Sequence, residues 1–350
     1  MRKRIQIWEK DEYCYPGAEG FVPFMIADIH DDEEMHPAML VIPGGGFIQI
    51  SSGETDGVAK EYYDLGYNTF VLIYTNNVTL KYPVFRQALS DAFRAVQLLR
   101  KNCREYHIDS DKIVGIGFSA GGFLTACLAT LYDNPEFGSD NELPGVSKRL
   151  DAAVLVYALV SCGEQSESGT KQILFENPVK EFSLPKYVKE TSVPMFILHG
   201  TADMMVPSDN AFQMAYACAE HNVPYELHIL LGCNHGFVVE NQTDKAVAQA
   251  NYVFEQLYDA ITNMTEEERL DYGDMYSDIN KDMDYEAFSA AAQQITMTKM
   301  WMNGLQAEFE NVEKAVRSTT SGNIQYAKQN NETRMQWVSL VNNWVKMLQD

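Results

Sequence analysis

The run Gly115-Ile116-Gly117-Phe118-Ser119-Ala120-Gly121-Gly122 holds the residues best suited to covalent chemistry. A serine hydroxyl attacks acyl groups when the chain presents it openly and a base takes its proton. The short β-branched segment Lys112-Ile113-Val114 precedes this run, and the small-residue pattern Phe123 to Ala129 follows it. Strand, Gly-x-Ser-x-Gly and helix together describe a tight turn that pushes the serine oxygen out at a strand end. A side chain at Gly117 or Gly121 would collide with neighbouring backbone in such a turn, and neither position has one. The amide of Ala120 then lies at a helix N-terminus beside the serine. Alone, this pattern is also what a glycine-rich strand-to-helix turn looks like, so the partners decide.

Acyl transfer by serine needs a base, a group that orients the base, and donors for the oxyanion. His235 is the candidate base, in the glycine-bracketed loop Gly232-Cys233-Asn234-His235-Gly236-Phe237 that follows a strand pattern. Asp203, just past the apolar run Met195 to Leu198, is the candidate orienting acid. Its carboxylate would fix the imidazole tautomer and stabilise the imidazolium. Three glycines directly after the strand pattern Met39 to Ile42 let backbone amides face a substrate oxygen. Gly45, Gly46 and Ala120 are therefore the expected oxyanion donors, each worth ~3 kcal/mol in the transition state. The order Ser, Asp, His along the chain matches neither common serine-protease order. Other residues fit structural roles better. His199 reads as a structural hydrogen-bonding residue at a strand end, Asp91 as a structural contact on a helix, and Asp209 as a helix cap.

Positioning these residues requires strands whose ends line up. From Ala38 onward, apolar runs of strand length alternate with helical patterns: Met39–Ile42, Val58–Leu65, Thr69–Tyr74, Val84–Lys101, Lys112–Gly117, Ala152–Val160, Met195–Leu198 and Tyr225–Leu230. This alternation predicts an α/β fold with a mostly parallel sheet covered by helices on both faces. In such sheets, sites form at the carboxyl ends of the strands. Residues 1 to about 37 read as a lead-in with short strands at Ile5–Trp8 and Phe21–Ile26. Asp133–Arg149 reads as a loop, and Ser161–Ser192 as a polar insert whose second half holds one or two short helices over the site. The composition shifts after about Asn263. Ile295, Met302, Leu305, Phe309, Val312 and Val316 on one side of Ser318–Asn323, and Trp337, Val341, Trp344 and Leu348 on the other, follow helical spacing. We therefore divide the chain into a catalytic domain, 1–263, and a helical hairpin extension, 264–350. The hairpin either packs on the main domain, forms a homo-oligomer, or binds another protein.

Composition narrows the partners. The formal charge of −22 over 350 residues argues against nucleic acid and against anionic membrane surfaces. The six cysteines are widely and irregularly spaced, which predicts reduced thiols with neither a disulfide framework nor a metal site. No stretch approaches a membrane span. The basic N-terminus lacks a following apolar region, so a cytoplasmic protein is expected, and secretion would require a leader that has been removed.

Five pieces in order give the segment from Ala38 to Val239 its resemblance to the α/β-hydrolase superfamily. They are Pro43-Gly44-Gly45-Gly46-Phe47, Tyr82-Pro83 with Asp91, Gly117–Gly122, His199–Asp203 with Val206-Pro207, and Val223–Leu227 leading to Asn234-His235-Gly236-Phe237. Within the superfamily the segment is similar to the esterase/lipase group that includes hormone-sensitive lipase and the bacterial acetyl-xylan and carbohydrate esterases. The lipase-like branch usually has His at the position of Pro43 and Tyr-Arg-Leu at Tyr74-Thr75-Asn76, so the resemblance points to the carbohydrate-esterase-like branch. It implies a serine carboxylic-ester hydrolase with a Ser119–His235–Asp203 triad and an acyl-enzyme mechanism. It further implies short acyl groups, such as acetyl on carbohydrates, in a small-molecule or oligosaccharide substrate, and no cofactor. Phe47, Phe118 and Phe237, beside the matching motifs, are expected to contact substrate. Amide, peptide or formamide hydrolysis on the same fold is the enzymatic alternative. A non-catalytic scaffold that uses the hairpin is the alternative of another class.

Overall fold

The alternating runs assemble one eight-stranded sheet in the order β1-β2-β4-β3-β5-β6-β9-β10. The computed structural model describes residues 1–9, 12–16, 21–47, 50–76, 82–138, 142–162, 182–203, 205–238 and 336–349. The strands of the sheet are β1 (Arg2–Gln6), β2 (Phe24–Asp28), β3 (His36–Ile42), β4 (Asn68–Ile73), β5 (Ile108–Phe118), β6 (Ala152–Val156), β9 (Met195–Gly200) and β10 (Tyr225–Leu230). A short antiparallel pair, β7 (Ser161–Cys162) with β8 (Phe182–Ser183), stands apart. β1 and β2 pair antiparallel at one edge, and the pairings from β4 to β10 are parallel. All six residues of β4 and all five of β6 are buried, as expected of strands covered on both faces.

The described helices are α1 (Asp56–Asp64), α2 (Phe85–Lys101), α3 (Ala120–Thr130), α4 (Asp209–Glu220) and α5 (Trp337–Gln349). In α2, Ala88, Leu89, Ala92, Phe93, Val96 and Leu99 make the buried stripe, and Arg100 and Lys101 end the helix where cations favour its dipole. Every residue of α3 is buried, so its sequence is apolar and small all round. It packs against β5, β6 and α2. No helix among the described residues is long and apolar enough to cross a membrane.

Register places the site. Ile42 is level with Gly117, Phe118 with Val156, Val156 with Leu198, and Leu230 with Gly200. The chain therefore leaves β3, β5, β6, β9 and β10 at one rim.

Several element boundaries differ from those the sequence predicts. The first strand ends at Gln6, because Trp8 turns inward to donate its indole N–H to Asp91 at 2.7 Å. The second begins at Phe24 rather than Phe21. The strand predicted over Ala152–Val160 stops at Val156, since Tyr157 turns to a positive φ of 36°. Within the predicted loop 133–149, Pro135–Phe137 forms one 3-10 turn. Most of the polar insert lies outside the described residues, as does the first helix predicted for the C-terminal hairpin. The second is α5, and it packs on the body, one of the placements the sequence leaves open. Its Trp337 ring meets Tyr62 at 6.3 Å and Phe118 at 6.2 Å, and Trp344 meets Phe196 at 5.6 Å. The Tyr67 hydroxyl donates to Asn342 at 3.1 Å. α5 thus belongs to the same hydrophobic core as the sheet. Truncating Trp344 to Ala leaves a cavity there. Urea unfolding followed by the far-UV signal should show a loss of about 3–5 kcal/mol for the whole body, and a change below about 0.5 kcal/mol would mean that the helix does not contribute to the core.

Candidate active site

Ser119 occupies the N-cap of α3 with φ 51° and ψ −114°, a conformation that side-chain-bearing residues rarely adopt. Its amide donates to Val156 O at 3.1 Å, and its carbonyl accepts from Phe123 N at 3.0 Å, so both neighbouring elements hold the turn. The flanking glycines are required, as expected. A Cβ on Gly117 would overlap Thr125 and the Gly121 carbonyl, and one on Gly121 would overlap the carbonyl oxygens of Ile42 and Pro43. The second overlap shows how closely the start of α3 approaches the end of β3.

His235 and Asp203 come to the same point from β10 and β9. His235 Nε2 lies 2.9 Å from Ser119 Oγ, and Nδ1 lies 2.7 Å from Asp203 Oδ2. Asp203 Oδ1 accepts from the amides of Met205 at 3.0 Å and Val206 at 2.8 Å, which curls the loop around the carboxylate. His199, predicted to be structural, lies behind it. Its Nε2 is 2.8 Å from Val206 O and 3.2 Å from Asp203 Oδ2. Both neighbours are acceptors, so this nitrogen carries the hydrogen. Burial alone would raise the Asp203 pKa. Hydrogen bonds from His199 and His235, the nearby imidazole and the Val206 amide instead pull it down to about 2. With Asp203 ionised, Nδ1 of His235 is the protonated nitrogen and Nε2 is free to accept from the serine.

The glycine loop lies against this group. Gly45 has φ 121° and Gly46 φ 63°, backbone shapes that glycine adopts without strain. A Cβ on Gly44 would stand 3.0 Å from Ser119 Cβ. Ala120 is the first residue of α3 and nearly buried. Gly44 and Ala120 thus flank the serine from β3 and from α3, and Gly45 and Gly46 follow Gly44 along the loop.

Two of the three phenylalanines have other surroundings than predicted. Phe47 and Phe118 are fully buried. Phe47 packs on Tyr74 and Phe123, and Phe118 on Tyr157 and Trp337, so both rings support the loops from beneath. Phe237 is 6% exposed and stacks edge-on against Tyr157. Asp91 is the structural contact expected, accepting from Trp8, Gln87 and both the amide and hydroxyl of Thr75, with burial pushing its pKa up to about 6. Asp209 does not cap α4. Ser208 holds the cap position, while Asp209 lies inside the first turn and accepts from Gln213.

Two neighbours of the site escaped the sequence reading. Glu54, 4% exposed, accepts from Gly44 N at 2.7 Å through Oε2 and from the Tyr157 hydroxyl at 2.7 Å through Oε1. Burial raises its pKa, and the bonds from Tyr157 and Gly44 partly offset that. The Tyr157 ring lies 4.8 Å from that of His235. The only signal in the sequence was an acidic residue among Ser, Gly and Thr shortly after the glycine triplet, and that is also how a solvated loop reads. Among the described residues, no cluster of three or more His, Cys, Asp or Glu could hold a metal ion.

The BD-FAE family model matches residues 26–217. Over 245 residues the chain is 36% identical to endo-1,4-beta-xylanase B of Butyrivibrio fibrisolvens, covering 69% of this chain and 38% of that protein. The chain therefore spans well under half the length of that relative. Among solved structures, the acetyl ester-xyloside bifunctional hydrolase of Caldicellulosiruptor lactoaceticus superposes with a TM-score of 0.61 at 30% identity, covering 73% of this chain and 93% of that one. The propionate-bound esterase of the Planctomycetes species Thermogutta terrifontis gives a TM-score of 0.59 at 22% identity, covering 78% of this chain and 94% of that one, a likeness of fold.

The lowered Asp203 pKa carries a stability consequence. The folded value, about 2, lies below the ordinary 3.8. Its stabilisation is therefore present above about pH 4 and is lost as pH falls through about 2. Thermal melts from about pH 6 to about pH 2.5 should show a steeper acid loss in the native protein than in Asp203→Asn, by about 2 kcal/mol. Parallel curves would mean that the carboxylate is not held in its ionised form.

Proposed function

The chain belongs to the BD-FAE family of α/β-hydrolase esterases, and from that membership we propose that it is a serine carboxylic-ester hydrolase acting on short acyl esters, with acetyl groups on small or oligomeric carbohydrates as the substrate class. The observation that carries the reading is the continuous hydrogen-bonded line from Ser119 Oγ through the His235 ring to Asp203.

Ser119 Oγ attacks the ester carbonyl carbon while His235 Nε2 takes the hydroxyl proton. The carbonyl oxygen becomes an oxyanion and accepts from the amides of Gly45, Gly46 and Ala120. Collapse of this intermediate breaks the ester C–O bond, and His235 gives its proton to the departing alcohol oxygen. Water then enters, and the same nitrogen takes its proton as the water oxygen attacks the acyl carbon. The second collapse releases the carboxylic acid and returns the proton to Ser119. Asp203 stays ionised throughout and holds the imidazolium. Its four donors and low pKa suit that role. The substrate class leans on two relatives whose names concern xylan and acetyl esters, and on the resemblance to carbohydrate esterases.

A fluorophosphonate probe should label the native protein and fail to label Ser119→Ala. Nitrophenyl acetate should be turned over faster than esters of about eight carbons or more. Activity on aminoacyl amides without ester hydrolysis, or a clear preference for long chains, would overturn the assignment. Substituting His235 by Ala should cut turnover by roughly 10³-fold or more.

A further inference from the structure

Glu54 is buried, ionisable and unused by the reaction steps above. It lies on a 3-10 turn, Ser52–Glu54, that ends just before α1. Removing a carboxylate from water is unfavourable unless donors compensate for the lost hydration. Besides the Ser51 side chain, its donors belong to the two walls of the site. Oε2 accepts from the amide of Gly44, the residue whose Cα lies against Ser119. Oε1 accepts from the phenol of Tyr157, whose ring lies against His235.

Each wall is shaped in a way that needs support. Beyond Gly44, three successive residues, Gly45, Gly46 and Phe47, have positive φ. Such a loop has no regular ladder to hold it, so its amides point where its anchors put them. The anchors on the Glu54 side are the bond to Gly44 N and the Ser51 amide, which donates to Gly44 O at 3.0 Å. The Tyr74 hydroxyl holds Pro43 O at 2.8 Å from the other side. Tyr157, a residue with a β-carbon at φ 36°, is strained, and strain of this kind persists where surroundings over-determine it. A Cβ at Gly44 would stand 2.9 Å from Glu54 Oε2, so the contact leaves no room for slack.

We infer that Glu54 is a positioning residue for the oxyanion donors and the base: one carboxylate fixes the Gly44–Gly46 loop against Ser119 and, through Tyr157, the ring wall behind His235. The inference rests on the ester-hydrolysis reading and extends it to a residue that touches neither substrate nor the reacting atoms.

The test compares Glu54→Ala, Glu54→Gln, Glu54→Asp and Tyr157→Phe with the native protein and Ser119→Ala, using nitrophenyl acetate and a fluorophosphonate. Glutamine keeps the reach and an acceptor for Gly44 N, whereas aspartate keeps the charge and loses the reach. Folded Glu54→Ala should lose kcat by roughly tenfold to a hundredfold with KM within about twofold, because the oxyanion donors act on the transition state. Glutamine should recover much of that loss and aspartate little. Tyr157→Phe should lose less than alanine, since it leaves Gly44 anchored. A folded alanine variant within about twofold of native kcat overturns the inference, and so does a loss confined to KM. If alanine does not fold, the ranking of glutamine against aspartate decides: glutamine above aspartate supports the inference, and the reverse overturns it. Failure of the native protein itself to hydrolyse the ester or to label at Ser119 would reject the esterase reading, a result distinct from either outcome for Glu54.

Discussion

The site depends on how closely the start of α3 can approach the end of β3. Gly121 lies under the carbonyls of Ile42 and Pro43, Gly117 under Thr125, and Gly44 between Glu54 and Ser119. No side chain fits at any of these three points. Because nothing separates the backbones, Ser119 is held at φ 51°, a shape costing on the order of 1–3 kcal/mol that the buried faces of α3 sustain. The hydroxyl that results points away from the helix toward the rim, where the loops after β9 and β10 bring the imidazole and carboxylate. Loosening the contact would let the serine relax into a helical conformation and withdraw its oxygen.

Two buried carboxylates show what decides the charge state of a group in this protein. Asp203 and Asp91 each accept from four donors. Yet Asp203 is held at about 2 and Asp91 at about 6. The donors of Asp91 are an indole, an amide side chain, a hydroxyl and a backbone amide, none of which can carry charge. Two of the Asp203 donors are imidazoles, and one takes a proton during turnover under the proposed reaction. The number of hydrogen bonds is the same, but Asp91 is the more deeply buried and only Asp203 faces imidazoles. Burial dominates at Asp91 and is overcome at Asp203.

The parallel strands were legible because strands buried on both faces leave uninterrupted apolar runs, and Met39–Ile42 and Met195–Leu198 lie within strands of the sheet. Ser119, His235 and Asp203 were legible because each follows such a run inside a short loop with a restricted choice of residues. Glu54 was not, since its role is created by folding: Gly44 and Tyr157 come to it from separate strands. The roles expected of Phe47 and Phe118 failed for a related reason. Nearness to a motif in sequence says nothing about which side of the backbone an aromatic ring takes, and both rings turn inward. The end of β6 was misjudged because Tyr157 reads as a strand former, while tertiary packing holds it at positive φ.

The last helix has a consequence for how the protein is made. Tyr62, Phe118 and Phe196 emerge from the ribosome early, but Trp337 and Trp344, which cover them, come near the end of the chain. After residue 238, roughly a hundred more must be joined before that cover exists, and at about 5–20 residues per second the delay is on the order of ten seconds. During that interval Tyr62, Phe118 and Phe196 lack the ring contacts that Trp337 and Trp344 supply. Burial of these rings is therefore completed only after residues 239–335 have been translated, and the pace of that stretch sets how long they wait.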